Sequence, residues 1–300
     1  MTRQAPTPLT ASLAVVLPAA LWGAVWWPLR YLDQQGVPGE WSIGFVNLVA
    51  ALMLLPFLIF WFRQYRAHLG KALLIGVATG TGITLYYLGI IHTSIIRATL
   101  FFYMTPIWAT LIGIYWLKEP STFRRWTAIG IGLVGLILLL SGDHIRAFNI
   151  GDFLAFLSGV SWAIGGAMLN RYNDVPFVAS TFFQFLVAAV VIFPISLMVG
   201  ILIVPDFGDF WVQTPVMIIA ALVLFLPSIL SIFWASQYLF PGRVGLLMMS
   251  EVLVAVISTS LLLEDEQLRF IHWIGAALII IASIVELTPA RKKAESPAIK

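Results

Sequence analysis

Long apolar runs, separated by short stretches rich in charge, proline and glycine, set the rhythm of this chain. Ten runs can be marked out, at about residues 10–30, 41–62, 71–91, 96–117, 125–141, 151–171, 177–203, 215–238, 242–263 and 271–288. Each approaches or reaches roughly the 17–25 residues with which a helix crosses about 30 Å of hydrocarbon. Transmembrane strands would instead alternate apolar and polar residues over about ten positions. A stretch such as IGLVGLILLL (131–140) does not alternate. The pattern predicts an all-α membrane protein with ten transmembrane helices. The first run has only Arg3 ahead of it, is longer than a signal-peptide core and lacks a clear small-residue cleavage site, so it reads as a retained helix.

The ten runs fall into two echoing sets. LPAALWGAVWWPLRY (17–31) resembles LSGVSWAIGGAMLNRY (157–172), matching Trp22 with Trp162. RATLFFYMTPIWATLIGIYWLKE from Arg97 lines up with RVGLLMMSEVLVAVISTSLLLEDE from Arg243. After one extra residue Glu119 pairs with Glu266, and Trp126 with Trp273. Five spans per copy, over residues 1–145 and 146–300, put the second copy into the bilayer upside down. Such inverted repeats are a mark of alternating-access carriers.

Composition agrees with the pattern. Sixty per cent of the 300 residues are hydrophobic and 10 per cent charged, and the mean hydropathy is +0.96. Soluble domains carry roughly 25 per cent charged residues, so lipid must solvate most of this surface. The chain contains no cysteine, which excludes disulfides, thiolate catalysis and zinc–sulfur sites.

The net charge of +3 sorts by loop. One side collects Arg3, Arg63, Arg66, Lys71, Lys118, Arg124, Arg125, Arg171, Arg243, Arg291, Lys292, Lys293 and Lys300. The other keeps Arg30, Arg97, Arg146 and Arg269. A bias of this kind orients membrane proteins with the basic loops inside, so both termini are expected in the cytoplasm. The acidic loops with Asp206, Asp209, Glu264, Asp265 and Glu266 then face outward. Basic residues spent on topology leave no case for nucleic acid as a partner.

Carriers of this design hold substrate near the midplane, where helices in corresponding places are interrupted. The third span carries GVATGTG (76–82), with Gly80 and Gly82, and the matching eighth carries LPSILS (226–231), with Pro227. Pro106 interrupts the fourth. These four are the candidate hinges, ordinary helix packing being the competing explanation for the glycines. Nearby lie Tyr86, Tyr87, His92, Gln237 and Tyr238, together with Tyr103, Trp108, Trp22 and Trp162. Aromatic walls with a few polar tips suit a small, partly flat, amphipathic solute. Trp and Tyr also form belts at membrane interfaces, and His92 and Tyr238 stand near span ends where such belts form.

Glu251 stands alone in its span. Eight residues past Arg243, at about 1.5 Å each, it lies roughly 12 Å into the bilayer. A carboxyl group there must face protein or a wet cavity. Three roles fit: a proton-coupling group, a partner for a substrate amino group, or a structural tie to a neighbouring helix. Asp152 and Glu286 stand near span ends, where solvation is expected.

Two other patterns carry no chemistry. GIGLVG (130–135) satisfies G-x-G-x-x-G but sits inside a span and follows no strand, so it reads as a packing face. His68, His92, His144 and His272 are scattered, without metal-binding spacing. No cofactor, metal ion or catalytic constellation is expected.

The stretches 104–139 and 250–283 resemble the drug/metabolite transporter superfamily, EamA type. Its repeat has a helix with a mid-span proline, an acidic residue at the helix end, a short loop and a Trp/Gly-rich helix. Pro106, Glu119 and Trp126 match in the first copy, and Glu251, Glu266 and Trp273 in the second, where Val252 replaces the proline. Within the superfamily the chain is most similar to bacterial aromatic amino-acid exporters. The resemblance implies a multi-pass carrier of the bacterial inner membrane, not an enzyme, exporting phenylalanine, tyrosine, tryptophan and related small metabolites. Aromatic side chains would stack on the ring while Glu251, Gln237 or Tyr103 meets the polar end. A carrier of another solute, such as a cationic drug or other amino acid, is the alternative; a membrane-embedded enzyme is a remote one.

Overall fold

The computed structural model describes residues 6–93, 95–120, 122–141, 147–200, 202–262 and 269–287. Arg3, His144, Arg146, Glu264, Asp265, Glu266, Arg291, Lys292, Lys293 and Lys300 lie outside them, and with them the proposed pairing of Glu119 with Glu266. Among the described residues the secondary structure is helical throughout.

The chain begins with α1 (Pro8–Trp22) and α2 (Trp26–Gln34), then α3 (Gly39–Phe60), the short α4 (Phe62–Tyr65) and α5 (Leu69–His92). It continues through α6 (Ile95–Phe102), α7 (Thr105–Trp116), α8 (Phe123–Leu139), α9 (Ile150–Arg171) and α10 (Phe177–Val199). Next come α11 (Phe207–Ala220), a π-helical turn over Ala221–Phe225, and α12 (Leu226–Ser236). Last are α13 (Pro241–Leu247), α14 (Ser250–Leu262) and α15 (Phe270–Leu287). Among the described residues eight segments are long and apolar enough to cross a membrane, four of them formed by two α-helices in series, and α15 is a further, shorter apolar helix.

Local chemistry sets many of the ends. Thr7 caps α1 through a bond from the Thr10 amide, and Thr122 caps α8 in the same way. Asn149 and Asp152 form a reciprocal capping box at the start of α9. Asp206 caps α11, so that helix starts well before residue 215, where the apolar run begins. Gly200, with φ of 78°, stops α10 in the left-handed conformation that glycine adopts without strain.

Small residues let the helices approach. α5 packs against α9 and α10, and α8 against α15. Gly135 of α8 lies against the backbone of Gly275, and a Cβ on Gly275 would run into Leu139. The GIGLVG stretch is thus largely a packing face. Gly80 and Gly82, expected to loosen their span, do not: α5 is unbroken from Leu69 to His92. Their missing side chains admit the neighbours instead, Gly80 meeting the Gln184 carbonyl of α10 and Gly82 the Trp162 amide of α9.

The breaks fall elsewhere. α1 gives way to α2 at Gly23–Val25, α6 to α7 at Tyr103–Met104, and α13 to α14 at Met248–Met249. At the second of these, Pro106 has no N–H for the carbonyl four residues back, and the Thr105 hydroxyl donates to that Phe102 carbonyl in its place. The third break needs no proline, because the amides of Glu251 and Val252 bond three residues back, to Met248 and Met249. Pro227 enters the second residue of α12, directly after the π-helical turn.

Asp152 and Glu286 are not solvated. Asp152 is fully buried, paired with Arg97 and accepting a bond from Thr93 at 2.9 Å. Glu286 is 2 % exposed and accepts from Arg125 at 3.3 Å, while the same guanidinium pairs with Glu119. Position near a span end did not expose these carboxylates, because arginines on neighbouring segments supply their counter-charge.

Candidate functional site

The breaks between α1 and α2, α6 and α7, and α13 and α14 gather around one carboxyl group. Turning at Met248–Met249 brings Glu251 into the first turn of α14, facing the break between α6 and α7. Tyr103 lies in that opposite break, 1 % exposed, and its hydroxyl stands 2.5 Å from Glu251 Oε2 and 3.0 Å from the Met248 carbonyl oxygen. A tyrosine on one interrupted span is thereby bound to a carboxyl group on another.

Around Glu251 the walls are aromatic and aliphatic. Trp22 from α1, Tyr86 from α5, Phe102 from α6 and Trp162 from α9 line the same small cavity, with Ile83, Ile229, Ile232, Ala19 and Met248. Each aromatic wall is itself supported. The Trp22 ring lies 4.6 Å from that of Phe225 in the π-helical turn. Trp162 lies 6.2 Å from Phe233. Tyr86 lies 4.6 Å from Phe102 and shares a 3.1 Å hydrogen bond with Thr99. Tyr87, its ring 5.9 Å from that of Tyr86, is buried behind it. No lysine, arginine or histidine lines the cavity among the described residues.

A second cavity adjoins the first. Trp162 and Ile232 line both, so they form the partition. Thr79, Thr105, Ala109, Ala163, Ser236 and Pro241 line the far side, toward the end of α9 that carries Arg171. The space open in each cavity is about that of a single water molecule. A solute of amino-acid size enters only when the helices part.

Of the candidates named from the sequence, Trp22, Tyr86, Tyr103, Trp162 and Glu251 meet here, with Tyr87 adjoining. Four do not. Trp108 turns toward Phe156, ring centroids 5.4 Å apart. His92 ends α5 beside the Gly151 backbone. Gln237 donates to the Val175 carbonyl at 2.6 Å. Tyr238 is 44 % exposed against Trp234. All four face loops or helix seams rather than the centre. Phe102 and Met248 were overlooked although the repeat alignment sets them opposite one another; they are apolar, and nothing in their type marked them out.

Known proteins agree in broad terms. Over 88% of its length the chain is 27% identical to the "Uncharacterized inner membrane transporter YedA" of Escherichia coli K12, covering 86% of that protein. It is 23% identical over 60% of its length to an "S-adenosylmethionine uptake transporter" of Rickettsia bellii, of which the match spans only 58%. A solved crystal structure superposes with a TM-score of 0.68 over 92% of this chain and 96% of its own, at 14% identity, a likeness of fold alone. The sequence profile of the EamA-like transporter family matches twice in succession, over residues 9–141 and 149–288. With nearly the whole length so matched, this multi-pass chain belongs to the EamA-like transporter family.

Proposed function

We propose that this transporter exports aromatic amino acids and related small metabolites across the bacterial inner membrane by alternating access. The observation that carries the reading is Glu251, a single carboxyl group held between aromatic walls where three interrupted spans meet. Once the helices part, a substrate ring would lie between Trp22, Tyr86, Phe102 and Trp162, with its amino group against Glu251. Aromatic faces favour both a flat ring and a neighbouring cation.

In this reading the chain has ten spans, arranged as two inverted five-helix repeats over 1–145 and 146–300, with both termini cytoplasmic. The double family match supports that division. So do α3 and α10, each with a proline just before its start and another near its end: Pro38 and Pro56, Pro176 and Pro194. Pro106 and Pro227 would serve as the hinges, while the flush contacts at Gly80 and Gly82 would let α5 move as one body with α9 and α10.

One observation favours a second cargo. The relatives from Rickettsia are named for uptake of S-adenosylmethionine, a cation with a flat ring system, and the pocket offers a carboxyl group without a basic partner. Both cargoes carry a ring and an amino group; they differ in net charge and in direction of travel.

Purified protein in liposomes, given labelled phenylalanine, tryptophan, alanine or S-adenosylmethionine with and without a pH gradient, separates the two. Saturable transport of phenylalanine and tryptophan over alanine, lost in Glu251→Gln, is the expected result. Transport of S-adenosylmethionine alone would replace the substrate, and transport of none of the four by folded protein would remove the reading.

A further inference from the structure

The Tyr103 hydroxyl has one proton and two neighbours. Its oxygen stands 3.0 Å from the Met248 carbonyl oxygen and 2.5 Å from Glu251 Oε2. A carbonyl oxygen only accepts, and so does an ionised carboxyl group. Were Glu251 ionised, the phenolic proton would bridge one of these contacts and leave two bare oxygens facing each other in the second. A protonated Glu251 resolves the arrangement. Its acid O–H donates to Tyr103, and the Tyr103 O–H donates to Met248. Each contact in the row Glu251–Tyr103–Met248 then holds a proton of its own.

The surroundings agree. No lysine, arginine or histidine among the described residues lines the cavity at Glu251, and a buried carboxylate without a counter-charge is costly. The titratable groups that face it are Tyr103 from the α6–α7 break and Tyr86 from α5, with Tyr87 behind. None of the three supplies positive charge. α1, which packs along α14, carries no titratable side chain. Charges on the other helices are engaged elsewhere. Arg97 pairs with Asp152 and Arg125 with Glu286, and His272 of α15 meets the Ser141 carbonyl oxygen. Arg243 stands near the start of α13, and Lys71, His92 and Arg171 near the ends of α5 and α9.

We infer that Glu251 carries a proton in this state of the carrier and exchanges it for the amino group of the substrate. An arriving ammonium group pairs with the carboxylate, and the Glu251 proton leaves to water through the cavity that Glu251 itself lines. Charge balances: a neutral acid and a cation become an ion pair and a free proton. Tyr103 turns its hydroxyl with the exchange, accepting from the acid and donating to the carboxylate. In the second arrangement its proton is withdrawn from the Met248 carbonyl, which lies in the break between α13 and α14. Occupancy of the carboxyl group is thereby relayed to a helix interruption, and Tyr103 is a positioning residue that acts through Glu251. Proton and amino group are alternatives at one site, so each amino acid exported is matched by a proton taken in. The exchange rests on the transport reading above; the proton on Glu251 rests on the hydrogen-bond geometry alone.

Infrared difference spectra of the full chain in detergent, parent minus Glu251→Gln, read that proton directly. At neutral pH and without substrate they should show the carbonyl stretch of a carboxylic acid. Carboxylate bands in its place would overturn the assignment. Raising the pH should remove the acid band. In Tyr103→Phe the midpoint of that loss should rise by about one pH unit, because a hydrogen bond to an ionised carboxyl group is stronger than one to its acid form. A purely structural tyrosine would leave the midpoint where it is, and an unmoved or lowered midpoint would deny Tyr103 its part.

Phenylalanine and S-adenosylmethionine, each with an amino group, are then added in weak buffer with a pH-sensitive dye. A proton released for each phenylalanine bound, together with loss of the acid band, is the expected result. Binding of phenylalanine with the acid band intact would overturn the exchange and leave the substrate standing. Displacement by S-adenosylmethionine alone would remove the aromatic amino acid and leave the exchange standing. Displacement by neither would overturn the exchange.

Discussion

Tyr103 and Glu251 face each other across two interrupted helices, 2.5 Å apart and sealed from solvent on the tyrosine side. The contact answers why a lone acidic residue is tolerated in an apolar stretch. Each partner supplies polarity that the other needs, and both sit where regular helical bonding has already failed.

Tyr103→Phe removes that hydroxyl and nothing else. The Glu251 carboxyl group then keeps its burial and loses its neighbour, at a cost of about 1–3 kcal/mol. The variant should unfold at lower temperature than the parent, as read by tryptophan fluorescence in detergent. An unchanged midpoint would mean that the contact contributes nothing to the fold.

Arg97 and Asp152 make a sharper case. Asp152 is fully buried and Arg97 is its counter-charge. Arg97→Ala strands the acid and should cost about 3–5 kcal/mol. The double change Arg97→Ala with Asp152→Ala should be milder than Arg97→Ala alone. Half-lives at elevated temperature decide this, and a double variant worse than the single one would refute it.

Gly135 and Gly275 face one another between α8 and α15 without room for side chains. Gly135→Leu or Gly275→Val should force the pair apart, with overpacking of about 1–3 kcal/mol or more. Gly130, whose Cβ would meet nothing within 4 Å, should accept alanine without loss. Yield of monodisperse protein on size exclusion provides the comparison.

Trp162 both lines the Glu251 cavity and separates it from the second one. Trp162→Ala should raise KM for an aromatic solute by up to about tenfold, the equivalent of the 0.5–1.5 kcal/mol that ring stacking supplies. Trp162→Phe should recover most of it. Equal loss in both variants would assign the indole a purely structural part.

Span positions were readable from hydropathy where turn chemistry was simple. The third run, 71–91, corresponds to α5 at Leu69–His92, and the sixth, 151–171, to α9 at Ile150–Arg171. The eighth was read eight residues short, because Asp209 and Gln213 lower local hydropathy while Asp206 caps the helix. Interruptions were readable only where a proline marked them. Hydropathy sums side chains and is blind to which amide reaches which carbonyl, so the breaks at Gly23 and Met248 left no trace, whereas Pro106 marked the one at Tyr103. Glycine content misled at Gly80 and Gly82, where a missing side chain serves packing rather than bending. The site was half legible. Glu251 stood out by its charge and the tryptophans by the repeat, but Tyr103 joined Glu251 through a contact spanning 148 residues. Neither periodicity nor spacing encodes that.

The glycine seam between α8 and α15 also dictates an order of events during biosynthesis. α8 leaves the ribosome long before the helix that covers its Gly132 and Gly135 face exists, and must wait in lipid with that face unpartnered. Completion of the fold therefore waits for α15, and a nascent chain arrested before residue 270 leaves the Gly135 face without its partner.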